Sequence, residues 1–582
     1  MRSKKKGSVG RGVGRSAAAM AEREQMFIEA YIANGGDGAK AARAAGYAEK
    51  WAGRQAVTML RRPNVVKALA ARREKLARKY ELTSDSVIAE LARIVGPAHV
   101  LSEGDLGAWE QDWRKRARGK ALAVVRPGST SEVAAVVKAC AAAGHALVPQ
   151  GGNTGLVVGG VPDESGTQVL LSLQRMQAVR AIDPDNLAVT VEAGCILQNL
   201  QAAAREAGFL FPLSLAAEGS CTIGGNLGTN AGGTQVLRYG NARDLCLGLE
   251  VVTARGEVWN GLTGLRKDNT GYDLRHLMIG SEGTLGIITA ATMKLYPLPA
   301  ATLTAWAAVP SMEAAVQLLG LAHARLGPGL TGFEVMGQFA LSLADKHYPQ
   351  LRVPLFKDTP ASAPGRPKPD AAPSGGSEPH EVGSVGAPFF VLLENSDSEN
   401  EAHARQQFEA LLEAAMEAGC VTDAVVAENI AQARALWHIR ESIPLAQAEE
   451  GLNIKHDISI PVSRIPAFVA ETDALLQREI PGVRLVNFGH LGDGNLHYNV
   501  QAPEGGDNKA FLRDWEEKVN TLVFDQVHKF DGSISAEHGV GALKAGKLPA
   551  YKDATALAMM RAIKQALDPQ NLLNPGKVLA GE

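Results

Sequence analysis

The run Pro149-Gln150-Gly151-Gly152-Asn153-Thr154-Gly155 follows the strand-like segment HALV, and its reading decides how the rest of the chain is organised. Glycine lacks a Cβ, so such a loop lets main-chain N–H groups come close to a phosphate, and Asn153 and Thr154 add side-chain donors. Two further runs share this texture. GSCTIGGNLGTNAGG covers 219–233, and GSEGTLG covers 280–286 before the strand-like IITAATMKLYP. The six glycines of the first argue against a helix or strand interior and for main-chain bonds around a large anionic cofactor. One glycine-rich loop is ordinarily a turn. Three beside strands in one region point to a cofactor site, and none of the three reads GxGxxG or GxxxxGK[ST], which argues against a Rossmann or P-loop site there.

Upstream of the first loop, ALAVVRP, STSEVAAVVKACAAAG and HALVPQGG read as strand, helix and strand, with Ser129 or Thr130 opening the helix. Mixed strands and helices continue to about Leu298. Residues 354–386 are rich in Pro, Gly, Ser and Ala without periodicity and read as a disordered insertion. Order resumes at PFFVLLE.

The second half supplies candidate reacting groups. FGHLGDGNLHYN (488–499) reads as strand, turn, strand, which puts His490 and His497 on one face. SAEHGVG (535–541) adds Glu537 and His538. Two imidazoles and a carboxylate with open positions suit a divalent cation acting as Lewis acid, with a free histidine beside it to take a proton. Against this stands the total of 13 histidines, several of which must be ordinary surface or core residues.

These motifs together resemble the vanillyl-alcohol oxidase/p-cresol methylhydroxylase (PCMH-type) flavoprotein family. PQGGNTG is similar to its pyrophosphate loop, GSCTIGGNLGTNAGG to its second loop over the diphosphate and flavin, and GSEGTLGI to its isoalloxazine and adenine contact. The resemblance implies FAD contacts at Pro149, Gln150, Gly151, Gly152, Asn153, Thr154, Gly155, Gly219, Ser220, Thr222, Gly224, Gly225, Asn226, Thr229, Asn230, Gly232, Gly283, Ile287 and Asn574. Flavin-tethering members carry a histidine in the first loop; Asn153 stands near that place here, so FAD is expected to be non-covalent. LRKDNTGYDLRHLMIGSEGTLGI, HLGDGNLH, SAEHGVG and the C-terminal ALDPQNLLNPGKVL resemble the branch that oxidises D-2-hydroxyglutarate and D-lactate. That resemblance implies His490, His497 and Glu537 as ligands of a zinc-like metal and His538 as base. A 2-hydroxy acid anion needs fixed cations. Arg440 in LWHIRESIP and Lys455 in NIKHDISIP match basic substrate positions of the family, with His538 also touching substrate. Pro444 replaces a threonine four residues after the arginine, which removes a hydroxyl contact. Asn499 as holder of a second carboxylate favours a diacid over lactate. A surface pair of Arg440 with Glu441 or Glu449 is the plainer alternative.

The head of the chain has a different character. Of 582 residues, 60 are Lys or Arg and 62 Asp or Glu, but residues 1–80 hold 19 basic against 6 acidic, leaving 41 and 56 for the remainder. Residues 1–20 contain no acid and read as a flexible basic tail or as sequence upstream of a start at Met20. Residues 21–92 read as short helices at about 22–33, 39–46 (capped by Asp37), 48–60 and from Pro63. FIEAYIANGGDGAKAARAAGY and TMLRRPNVVKAL resemble the small subunit of phage terminases, which implies a helix-turn-helix module and DNA as a partner.

Five cysteines without CxxC spacing exclude a disulfide scaffold or a cysteine-rich zinc module and suit a reducing, cytoplasmic location. No apolar run is long enough to span a membrane. The fold expected is α+β. A two-part PCMH-type FAD-binding domain (91–299) is followed by an antiparallel-sheet substrate or cap domain (300–540) with helices on one face, and 541–582 returns to the FAD domain. A small all-α helix-turn-helix-like segment (21–90) precedes them. The activity expected is FAD-dependent dehydrogenation of a D-2-hydroxy acid, with electrons leaving to an acceptor protein or quinone. D-2-hydroxyglutarate is the first choice, D-lactate or glycolate the second, and a DNA-binding protein the alternative from another class. A homodimer is one option for the assembly.

Overall fold

In the computed structural model, residues 23–31, 38–60, 62, 65, 69, 85–356 and 387–580 are described. The basic tail, the fourth head helix around Pro63, Asp37 and nearly all of the insertion lie outside them.

Ser129 accepts a hydrogen bond from the Glu132 N–H, and Gly144 closes the far end in the left-handed conformation. STSEVAAVVKACAAAG therefore forms the helix Thr130–Ala143 between strands Ala121–Val125 and Leu147–Gln150. The two strands are not neighbours: Gln168–Ser172 inserts between them, parallel to both. Val100–Leu101 completes this four-stranded sheet on the far edge. On the other edge the C-terminal segment returns. The Leu147 N–H donates to Leu572 O (2.8 Å), and the Asn574 N–H to Leu147 O (2.7 Å).

A second, antiparallel sheet has the order Val179–Asp183, Ala188–Glu192, Ile287–Lys294, Cys246–Val252, Val258–Gly261. Its central strands are buried almost throughout, and the buried Glu250 on one is met by Thr289 Oγ1 of the other (2.9 Å). The 219–233 run departs from expectation, because Ile223–Thr229 is a short helix. Thr222 caps it by accepting from the Gly225 N–H, Asn230 ends it at φ +53°, and Gly224 has no room for a Cβ, which would lie 2.6 Å from Ala193 Cβ. Capping and close packing outweigh the poor helix propensity of its glycines.

The third sheet is antiparallel, in the order Asp423–Val426, Ala301–Val309, Phe389–Asp397, Leu330–Gly337, Arg484–His490, Asn495–Gln501, Asn453–Ile454, with Asp457–Ser459 also paired to Asn495–Gln501. Helices cover both of its faces rather than one. Met312–Leu326, Glu401–Glu417, Ile465–Glu479 and Asn508–Lys529 pack on one side, Gln338–His347 and Ile430–Glu450 on the other. The physical reason is the strand composition. In Ala301–Val309 apolar residues point both ways in the second half of the strand, with Leu303, Ala305 and Ala307 facing one layer and Trp306 and Ala308 the other.

Residues 1–89 and 90–582 are two compact units. In the first, a helix over 23–31, Gly38–Ala44 and Ala52–Leu60 bury Phe27, Ala41, Ala42, Ala52, Ala56 and Met59.

Candidate active site

The three glycine runs meet around one cavity. It is lined by residues 149–155, Thr222, Gly224, Gly225, Asn226, Thr229, Gly283 and Ile287, together with Asp112, Glu282 and His538. The first two loops touch. A Cβ on Gly152 would lie 2.0 Å from Ser220 O, and one on Gly151 would lie 2.4 Å from Thr222 Oγ1. Among the described residues the main-chain N–H groups of 151–155 have no acceptor, and the buried Asn226 Nδ2 has none either. Main-chain donors left free around a cleft are available to a ligand's acceptors, such as the oxygens of a diphosphate. The residues present therefore fit FAD.

Asn153 lines the cavity but spends its side chain on the protein, and Gly219, Ser220, Asn230, Gly232 and Asn574 are not among the lining residues. Asn153, at φ +53°, donates its amide to Gln111 O (2.8 Å) and Ala108 O (3.3 Å), bracing the loop. Ser220 lies behind Gly152, and Gly219 is outside the cavity lining. Asn230 accepts from the Arg243 N–H (2.9 Å). Asn574 donates to Gly159 O (2.9 Å) and Glu282 O (2.7 Å), tying the C-terminal segment to two cavity loops. A Cβ on Gly232 would sit 3.4 Å from Glu537 Oε2, so the second loop reaches the histidine cluster.

That cluster is built on sheet register. Phe488 pairs with His497 across strands Arg484–His490 and Asn495–Gln501, so His490, Phe488, His497 and Asn499 share a face. The rings of His490 and His497 are 5.5 Å apart, and His497 and His538 stack at 6.0 Å. Glu537 Oε1 lies 3.9 Å from His490 Nε2, 3.7 Å from His497 Nε2 and 3.7 Å from His538 Nε2. Burial, followed by the charge of His490, holds the His497 pKa well below its ordinary value. Asp457, His497, Glu537 and His538 can each offer one ligand atom within 4.8 Å of the others. Asp457 is already engaged: Oδ1 accepts from Asn495 Nδ2 (2.9 Å), and Oδ2 from the N–H groups of Glu537 (3.0 Å) and His538 (2.9 Å). The expected ligand set shares His497 and Glu537 with this group; His490 is not part of it, though its Nε2 has no protein hydrogen-bond partner among the described residues and lies 3.9 Å from Glu537 Oε1.

Two carboxylates that the sequence did not single out sit behind this centre. Glu334, fully buried on Leu330–Gly337, sits opposite His490 in the register. Its Oε1 is 2.5 Å from His490 Nδ1, and its Oε2 accepts from Arg440 Nε (2.8 Å). Burial raises the Glu334 pKa, but the His490 and Arg440 charges outweigh it and hold the carboxyl down at about 2. A carboxylate behind a ligating histidine fixes its ring and tautomer. Asp457 is the other, with Oδ2 also 3.5 Å from His538 Nδ1.

Arg440 is buried on Ile430–Glu450, with its guanidinium 4.8 Å from the Phe488 ring centre. Its partner is Glu334, not Glu441 or Glu449. Only Nε is hydrogen-bonded among the described residues, so both terminal nitrogens can receive an anion. Lys455 is exposed by surface area, yet desolvation by its surroundings and then the Arg114 charge lower its pKa to about 8. Asn499 accepts from the His456 N–H (3.2 Å) and donates to Gln447 Oε1 (2.9 Å), which leaves it one free N–H.

Comparison with known proteins agrees with this architecture. Residues 121–261 match a family described as FAD binding domain, 298–578 match FAD linked oxidases, C-terminal domain, and 20–126 match Terminase small subunit. A protein named D-2-hydroxyglutarate dehydrogenase from Xanthomonas citri pv. viticola is 39% identical over 498 residues, 85% of this chain and 97% of its own. One of that name from Stutzerimonas stutzeri is 35% identical over 500 residues, 86% of this chain and 100% of its own. A rice (Oryza sativa subsp. indica) protein named probable D-2-hydroxyglutarate dehydrogenase, mitochondrial, is 38% identical over 501 residues, covering 86% and 83%. Among solved structures, p-cresol methylhydroxylase with substrate bound superposes with a TM-score of 0.65 at 17% identity, covering 86% of this chain and 97% of its own. A 4-ethylphenol oxidase from Gulosibacter chungangensis gives 0.61 at 18%, covering 85% and 97%. These two share the fold. No helix among the described residues is long and apolar enough to cross a membrane. With the loops of a PCMH-type flavin site, and relatives of this identity matched over most of their length, the chain belongs to the D-2-hydroxyglutarate dehydrogenase family of FAD-dependent oxidoreductases.

Proposed function

We propose that the protein oxidises a D-2-hydroxy acid, D-2-hydroxyglutarate before D-lactate or glycolate. The observation that carries this reading is that His538 both lines the glycine-loop cavity and belongs to the Glu537 cluster. FAD held by the loops supplies the two-electron acceptor for the C2 hydrogen. His490, His497 and Glu537 would hold a divalent cation, zinc in our reading, which would supply Lewis acidity to the substrate. His538 takes the hydroxyl proton at a ring nitrogen, with Asp457 behind it to stabilise the imidazolium. Arg440, held in place by Glu334, presents two parallel N–H donors to a carboxylate. Lys455 adds a second positive charge, which favours a diacid, and the remaining N–H of Asn499 adds one donor. Electrons leave to an acceptor protein or quinone. The five free, buried cysteines support a cytoplasmic site of action.

The test is anaerobic mixing of the FAD-loaded protein with each enantiomer of 2-hydroxyglutarate, followed by flavin absorbance. Bleaching by the D form, abolished by chelation and restored by Zn²⁺, supports the reading. Faster bleaching by D-lactate transfers it to the monocarboxylate branch.

A second reading concerns the head, which we propose binds DNA. Its support is the terminase match and the half-exposed Trp51, with Lys50 and Arg54 within 6 Å of its ring. Retention on duplex DNA that falls steeply with salt supports it, and no retention at low salt rejects it.

A further inference from the structure

We infer that Glu282 is a positioning residue for His538, a carboxylate of the flavin half that clamps the loop carrying it; this rests on the role proposed for His538. Glu282 belongs to the GSEGTLG run and lines the cavity. Its own backbone is fixed on both sides. The N–H donates to Gly228 O (2.8 Å), the carbonyl accepts from Asn574 Nδ2 (2.7 Å), and φ is +53°, a left-handed conformation unusual for a side chain of this size. Held this way, the carboxylate accepts the N–H of Val540 with Oε1 (2.7 Å) and that of Gly541 with Oε2 (2.8 Å). Asp457 accepts the N–H groups of Glu537 and His538 from the substrate half. The His538 loop is thus gripped at four main-chain donors by two buried or cavity-lining carboxylates, one from each half of the enzyme. Gly539 lies between the grips, where a Cβ would fall 2.7 Å from Glu282 Oε1. Asp457 sets how His538 meets the cation ligands, and Glu282 sets how it meets the cofactor cavity.

The test compares wild type, Glu282→Gln and Glu282→Asp as full-length, FAD-loaded proteins. Glutamine keeps one acceptor but turns an NH₂ toward the other donor; aspartate keeps both acceptors one methylene shorter. Amide hydrogen exchange reads the clamp without any turnover. In Glu282→Gln the Val540 and Gly541 amides are expected to exchange roughly tenfold faster, with Glu537 and His538 unchanged. Glu282→Asp should recover part of that protection. With substrate, kcat should fall about ten- to a hundredfold with KM and FAD content near wild type. Unchanged exchange at 540 and 541, or turnover that falls only in step with lost FAD, overturns the inference. If wild type bleaches with no D-2-hydroxy acid, the proposed substrate class fails, while the exchange result still decides whether Glu282 holds the loop.

Discussion

The flavin half and the substrate half of this enzyme build their sites in opposite ways. In the flavin half the working groups are main-chain N–H donors, and the side chains matter mostly by being absent, as at Gly151 and Gly152. In the substrate half, side chains from the antiparallel sheet, the helix Ile430–Glu450 and the 535–541 loop converge, and carboxylates behind them hold Arg440, His490 and the His538 main chain. One half therefore fails when atoms are added, the other when atoms are taken away.

The sharpest way to break that contrast is to remove the proposed base. His538→Ala is expected to slow flavin bleaching at saturating substrate by about 10²- to 10⁴-fold, with FAD content intact. An equal loss of flavin would mean that the substrate half also builds the cofactor site. Next in size is Glu334→Ala, which strands Arg440 and His490 without their buried counter-charge. A loss of about 3–5 kcal/mol in denaturant unfolding is expected, and an unchanged midpoint would refute the brace. Gly152→Ala adds one methyl against Ser220 O, a misfit of the kind that costs about 1–3 kcal/mol. Its signature should be lost FAD, measured as the 450 nm absorbance per chain, with the cap sheet intact by proteolysis. The smallest effect concerns pH. Lys455 carries its charge below about pH 8 and loses it above. KM for a diacid should therefore rise as pH passes through 8, and this rise should vanish in Lys455→Met and for a monocarboxylate.

The two halves also differed in how far the sequence disclosed them. The loops were legible because glycine density is a local signal, and the hairpin histidines because strand alternation is a local rule. Glu334 and Asp457 were missed because nothing near them in sequence announces a partner; Glu334 meets His490 from 156 residues away, through register alone. A trace was present. LTGFEVMG sets one acid in a largely apolar strand, and a buried acid demands a partner. The helix Ile223–Thr229 went unread because its stability comes from the Thr222 cap and from contact with Ala193, not from its own residues. The two-sided covering of the large sheet was readable in hindsight, since residues 305–309 of Ala301–Val309 are apolar on both faces.

The return of Leu572–Asn574 to the edge of Leu147–Gln150 has a consequence for how the protein is made. A ribosome releases that strand more than four hundred residues before the segment that seals it. Throughout elongation the nascent flavin half carries an open edge next to its pyrophosphate loop, the kind of surface on which unfinished chains aggregate. Sealing that edge is thus a late, long-range step in biogenesis.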